Sequence, residues 1–313
     1  MPLRTQAAQV AWLNTRLTLE FIASSRAWID EDLISALLVA GVLSANASAA
    51  DQGRGPSGTF AGPGVLSDTL RRPVNAMSVA LSLGVPRESA RSKLAALVEK
   101  GVLARTNDGF ILSAEVVQTE PFRAAMAIFV RAVADFIVGL SALQACGVRT
   151  GDRMPSPAWS VAGVATRLVT THVLRGIDHA RSITPQTSLT THYIMLSISH
   201  LTGSALRVVP GMPTDGGPLA RFEPSFGPVS VTEVARFAGL DHETVRRHVG
   251  QLEGIGSVVR VGNKRDVNLA DEVLVERWLD FQSRTVVSTH QLARKLYLAG
   301  VIVDAPAEAM AIL

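Results

Sequence analysis

Pro228–Arg265, PVSVTEVARFAGLDHETVRRHVGQLEGIGSVVRVGNKR, is the stretch whose reading decides the fold. Val231–Phe237 carries a helical pattern with Val234 and Ala235 on one side. Gly239 breaks that helix, and Asp241 is placed to cap a second one. Within the second helix Val245, Val249 and Leu252 recur at four- and three-residue steps and so share one face. His242, Glu243, Arg246 and Arg247 lie on the opposite face. Gly254 and Gly256 close the helix, and Val258, Val259 and Val261 form a short strand. Gly262-Asn263 followed by Lys264-Arg265 then reads as a hairpin tip. The small side chain at Ala235 lets the two helices cross closely, and the branched residues lock the second helix into the core.

The chain contains this unit twice. A shift of 155 residues lays Pro73–Arg105 on Pro228–Arg260 with 10 identities in 33 positions. They include the crossing alanines Ala80 and Ala235, the turn glycines Gly84 and Gly239, and the core leucines Leu97 and Leu252. Glu88/Glu243, Arg91/Arg246 and Arg105/Arg260 are also identical. Internal repetition on this scale decides architecture. In the earlier copy a first helix is expected at Ala76–Leu83, a turn at Gly84, and a second helix opened by Pro86, where the missing N–H costs nothing. Ala90, Leu94 and Leu97 face the core there, and the hairpin runs from Leu103 to Leu112 with Asn107-Asp108-Gly109 as its turn.

The spacing Ala80…Gly84…Ala90-Arg91…Leu94…Leu97, repeated as Ala235…Gly239…Val245-Arg246…Val249…Leu252, resembles the winged helix-turn-helix superfamily of bacterial transcriptional regulators. The resemblance covers about 40 residues in each half, roughly a quarter of the chain. It implies a mainly α fold with small β wings: two tandem winged helix-turn-helix repeats, each with extra N-terminal helices and a long C-terminal helix. It also implies sequence-specific DNA binding, with the second helix of each unit entering the major groove. Operator, effector and regulated genes are not implied by it.

Composition agrees with a folded chain of two domains: 313 residues, 47% hydrophobic and only 18% charged. Net charge is +3, so the distribution of charge matters more than its total. From Arg71 to Arg105 seven basic residues face two acids, +5; from Pro228 to Arg265 six face four, +2. By this count the first copy is the more basic. The single cysteine, Cys146, excludes an intramolecular disulfide and a cysteine zinc site, and fits a reducing cytosol. The N-terminus lacks the apolar core of a signal peptide. The uncharged run between Asp32 and Asp51 approaches the length of a membrane span, but its second half is rich in Ser, Asn and Ala; a buried core or interface helix is expected there.

In chain order, two or three helices are expected over 6–48, with Asp30-Glu31-Asp32 as an acidic helix start. A Gly/Pro loop follows at 51–64, then the first winged helix at 67–115 and a long apolar helix at 121–145. The loop has no Gly-Lys-Ser/Thr and is no phosphate loop. Residues 149–158 are the expected linker between a first repeat at 1–148 and a second at 159–313. The second repeats the order: helices at 160–182 and 189–206, a loop at 210–227, a winged helix at 226–271 and a long helix at 272–299. The two long apolar helices either pack the repeats together or form a homodimer, and the homodimer is expected.

Catalytic chemistry is not visible: there is no nucleophile elbow, no supported pair of carboxylates and no Walker motif, so no enzyme is expected. All seven histidines lie in the second half, without an HxxxH or HExxH pair, so neither metal nor cofactor is expected. His172, His179, His192 and His200, with Arg175 and Asp178, are structural or solvated, or line a polar surface for an unidentified small-molecule effector. The residues expected to bind DNA are Arg87, Ser89, Arg91, Ser92 and Arg105 in the first head. In the second they are His242, Thr244, Arg246, Arg247, Arg260, Asn263, Lys264 and Arg265. Their side chains are donors suited to guanine edges and phosphates. Glu88 and Glu243 either accept from cytosine N4 or orient Arg91 and Arg246. The expected partner is double-stranded DNA and the expected location the cytoplasm, at the nucleoid, with no membrane. Two other readings share the pattern: a tandem winged-helix subunit that binds protein in chromosome segregation, and a plasmid-type replication initiator. The former tend to be acidic, unlike this chain; the latter differ in their target sites.

Overall fold

The computed structural model describes residues 2–51, 67–148, 159–184, 187–202, 228–261, 264–267 and 272–302. The loops expected at 51–64 and 210–227, apart from Asp51, lie outside these, as do the linker at 149–158 and Asn263. Within them the chain is mainly helical, with ten α-helices and two small antiparallel hairpins.

Two helices, α1 (Pro2–Ile29) and α2 (Leu33–Asp51), occupy the first part. Asp30 turns the chain between them at φ 49°, and Asp32 caps α2 by accepting from the amides of Ile34 (2.8 Å) and Ser35 (3.1 Å). The acidic triplet is therefore a corner with a cap rather than a helical turn. α2 is apolar on nearly every side because it is buried on nearly every side: Leu37, Leu38, Val42 and Ala47 are all in the core. Gly41 lets α3 lie against it, since a Cβ there would sit 2.9 Å from Val79 Cγ1.

The helix pair α3 (Ala76–Leu83) and α4 (Arg87–Glu99) follows, then the hairpin β1 (Ala104–Thr106) and β2 (Gly109–Ile111). Asn75 caps α3 by accepting from Ser78 N at 2.8 Å, and Gly84 ends it in the left-handed region at φ 61°. Ala90, Leu94 and Leu97 turn inward from α4. Val74 forms an isolated antiparallel bridge to Phe110 beside the hairpin. Gly109 permits that approach, because a Cβ on it would meet Val74 O at 2.4 Å.

α5 (Glu120–Ala142) comes next. Phe21 and Trp28 of α1 meet Phe129 and Phe122 of α5 edge-on, with ring centroids 5.0 and 4.9 Å apart. Among the described residues α5 alone is long and apolar enough to cross a membrane, with mean hydropathy 1.8. Met126, Phe129, Val133, Phe136, Ile137 and Leu140 of that helix are buried in the protein interior.

The second part holds α6 (Trp159–Arg181), α7 (Leu189–Thr202), α8 (Val231–Ala238) and α9 (His242–Gly254). The hairpin β3 (Val258–Val261) and β4 (Lys264–Val267) and then α10 (Glu272–Leu298) complete it. Ser230 and Glu233 form a reciprocal capping box at the start of α8. Gly239 ends α8 at φ 61°, and Asp241 caps α9 by accepting from Thr244 N at 2.7 Å. Val245, Val249 and Leu252 are buried. Val261 pairs with Lys264 and Arg260 with Arg265, so Lys264 and Arg265 belong to β4 rather than to the hairpin tip.

The described residues form two compact units, each assembled from separated stretches of chain. One takes residues 1–19, 139–146 and 176–289, and so contains the second helix pair and hairpin. The other takes 20–138, 147–175 and the chain from 290 onward, and contains the first pair. Thus α1, α5, α6 and α10 are each divided between the units.

Candidate nucleic-acid interface

α4 and α9 are anchored by one face and open on the other. α2 supports the first pair, and a single side chain ties its hairpin down. Asn46, fully buried, donates Nδ2 to the carbonyls of Arg72 (2.8 Å) and Phe110 (3.2 Å) and accepts from Leu112 N at 2.9 Å. The second pair rests on α7 through other groups. Tyr193 donates its hydroxyl to Ala238 O at 3.1 Å, and Thr191 Oγ1 lies 2.9 Å from His248 Nδ1 and 3.1 Å from Gln251 Oε1.

The outward face of α4 carries Arg87, Arg91 and Ser92, all exposed, with Ser89 half-buried. On α9 His242, Arg246 and Arg247 are exposed and Thr244 is half-buried. Thr244 is engaged in the helix cap: its hydroxyl and amide both bond Asp241 and hold that carboxyl below the usual range. Arg105 and Arg260 stand exposed on β1 and β3. Arg105 reaches over Phe110, 5.8 Å from the ring centroid, and Arg260 Nε is 3.5 Å from Glu253 Oε1. Lys264 and Arg265 are described by their strand backbone only.

Two ion pairs occupy matching places. Arg91 places Nε 3.0 Å and Nη2 2.8 Å from Glu88 Oε2. Arg246 places Nε 2.8 Å from Glu243 Oε2 and Nη2 2.7 Å from Oε1. The bond with Arg246 holds the Glu243 carboxyl below its usual range. Of the two roles open to these glutamates, orientation of the neighbouring arginine is the one this arrangement provides. Among the described residues no carboxylate pairs with Arg87 or Arg247.

The charge count changes once the fold is known. Arg71 is buried and paired with Asp68 at 2.9 Å. Lys93 pairs with Asp32, and Lys100 with Glu31. Setting these three carboxylates against the +5 of Arg71–Arg105 leaves +2, equal to the second copy. Glu31 and Asp32 were missed as partners of α4. Their only signal in the sequence is an acidic cluster, and nothing local says which lysines it faces.

His172, His192 and His200 have structural surroundings. His192 is bonded within the turn before α7, 3.0 Å from Thr184 Oγ1 and 2.9 Å from Ser188 O. His200 is stacked between Trp12 and Phe237, at centroid distances of 5.2 and 5.3 Å. His172 lies 6.4 Å from the ring of Phe136. Among the described residues no group of three or more His, Cys, Asp or Glu is placed to hold a metal. Burial pushes the Cys146 thiol up to about 12, so it is a poor nucleophile.

Burial also holds His192 and His248 below the usual imidazole range. The unfolded chain then takes up protons that the folded chain refuses. The contribution to stability is complete above the unfolded value of about 6.5 and is lost as pH falls from there through the lowered folded values. Acidification from about pH 7.5 to 5.5 is expected to lower the unfolding midpoint of the unit that holds α7 and α9. His248→Gln should flatten that dependence, as read by hydrogen exchange at α9 across the same range.

No protein-family model, no curated protein and no solved structure matches the chain.

Proposed function

We propose that this protein is a sequence-specific DNA-binding transcriptional regulator with two winged helix-turn-helix heads in one chain. The observation that carries the reading is the division of α4 and α9 into a buried apolar face and an exposed arginine-bearing face. A helix held in this way projects side chains into a major groove without disturbing its own core. Arginine-rich outer faces favour DNA over a protein partner.

The tandem-repeat part of the proposal is supported by the order of the described helices. Adding 155 to α1, α2 and α5 gives residues 157–184, 188–206 and 275–297, which overlap α6, α7 and α10. The hairpins agree in register as well: Arg105↔Phe110 becomes Arg260↔Arg265. Two heads in one chain serve two half-sites, as a dimer of single-headed regulators does. Much of the apolar face of α5 is buried within the chain, while Ile128 on α5 and Val287 and Leu298 on α10 are exposed and available to the proposed homodimer. The proposal sets the protein in the cytoplasm, at the nucleoid.

The test is occupancy of the full chain on its own chromosome, followed by affinity for a recovered site as salt is raised. With about four to six phosphates contacted, log K against log salt should fall with a slope of about −3.6 to −5.4. No localised occupancy, or a flat salt response, would sink the reading.

A further inference from the structure

We propose that the Glu88–Arg91 and Glu243–Arg246 pairs are guanine readers, and that the DNA site therefore contains the same guanine-centred element twice. This rests on the DNA-binding reading above and adds the chemistry of the sequence that is read.

A guanidinium has five N–H donors. In both pairs the glutamate takes the edge formed by Nε and Nη2. The remaining proton on Nη2 and the Nη1 proton parallel to it stay on the outer edge, while the second Nη1 proton points back along the side chain. That edge offers two parallel donors, as the O6 and N7 of guanine require. The carboxylate thus fixes the plane of the guanidinium while leaving its reading edge open.

Charge decides between a base contact and a phosphate contact. Each pair is neutral overall. A carboxylate beside a phosphate-gripping arginine repels the phosphate and cancels the attraction, whereas a base edge carries no net charge. The unpaired Arg87 and Arg247 suit the phosphates; the paired Arg91 and Arg246 suit the bases. The pairs are also poorly explained as stabilising devices. Both side chains are 72% and 71% exposed in the first and 59% and 68% in the second, where ion pairs contribute little. Their recurrence after 155 residues puts the same reader in both heads. The heads differ beside it: Arg87 against His242, and Ser92 against Arg247. The two elements are accordingly alike at their centre and different at their flank.

The experiment is selection of duplexes from a randomised pool by the full chain, followed by affinity measurement on the selected site and its single-base variants. The wild-type protein should enrich a short guanine-containing element in two copies. Glu88→Gln with Glu243→Gln should lower the preference for that guanine about tenfold, while affinity for unselected duplex rises. Arg91→Lys with Arg246→Lys keeps the charge, loses the two-donor edge, and should lose the preference too. A guanine preference unchanged in both variants overturns the inference and leaves the DNA-binding reading standing. A wild-type protein that enriches no sequence overturns both.

Discussion

Reversing Arg246 and Arg247 to glutamate is expected to abolish binding by the second head, and reversing Arg87 and Arg91 to do the same for the first. Each double substitution exchanges two positive charges for two negative ones on the outer face of a helix. The four side chains are exposed, so the core is not touched. Arg246 and Arg91 take their partner glutamates with them: once reversed, each stands beside Glu243 or Glu88 as a like charge, and the helix face becomes strongly acidic. Loss of two cation contacts and gain of repulsion should reduce affinity on a proven site by roughly a hundredfold or more for each head. Far-ultraviolet circular dichroism and unfolding midpoints should stay near wild type, which separates lost binding from lost structure. If affinity is unchanged in both variants, the outward faces of α4 and α9 are not the interface.

The second large effect lies behind the proposed interface. Asn46→Ala removes three side-chain hydrogen bonds from a fully buried position. Phe110 O keeps a second bond, from Val74 N at 3.2 Å. The carbonyl of Arg72 and the amide of Leu112 lose the partner that Asn46 gives them. Arg72 is exposed and its carbonyl can turn to water, whereas the buried Leu112 amide is left unsatisfied, so a loss of roughly 1–3 kcal/mol is expected for the unit that carries the first helix pair. Urea unfolding measures it, and hydrogen exchange locates it at Val74, Phe110 and Leu112. The second head should be unaffected, because Leu201 occupies the position 155 residues on and its support comes from Tyr193 and Thr191.

Most of the local architecture was legible because it depends on neighbours in sequence. Gly84 and Gly239 stop helices by adopting a left-handed backbone, Asp241 caps the next one, and Leu94, Leu97, Val249 and Leu252 mark inner faces by their spacing. These are properties of windows a few residues wide. The contacts that were not legible join distant residues. Lys93 finds Asp32 across 61 positions, and Asn46 finds Leu112 across 66. A charge tally over Arg71–Arg105 counted those lysines as available to a phosphate backbone, because a linear window holds no acid from the corner before α2. Periodicity also shows that α1 and α6 have buried faces, but not against what. The composition of the two units, in which each long helix is shared, was therefore beyond it.

That sharing has a cost during synthesis. The unit with the first helix pair takes in the last part of α10, and the unit with the second takes in residues 2–19. Neither is complete until α10 has left the ribosome. At about 5–20 residues per second, the nascent α2 waits on the order of tens of seconds for the last of its unit to be made. Throughout that interval Leu37, Leu38 and Val42 lack part of the unit that finally encloses them. A chain truncated before α10 is therefore expected to leave both units incomplete, with neither gaining protection from proteolysis.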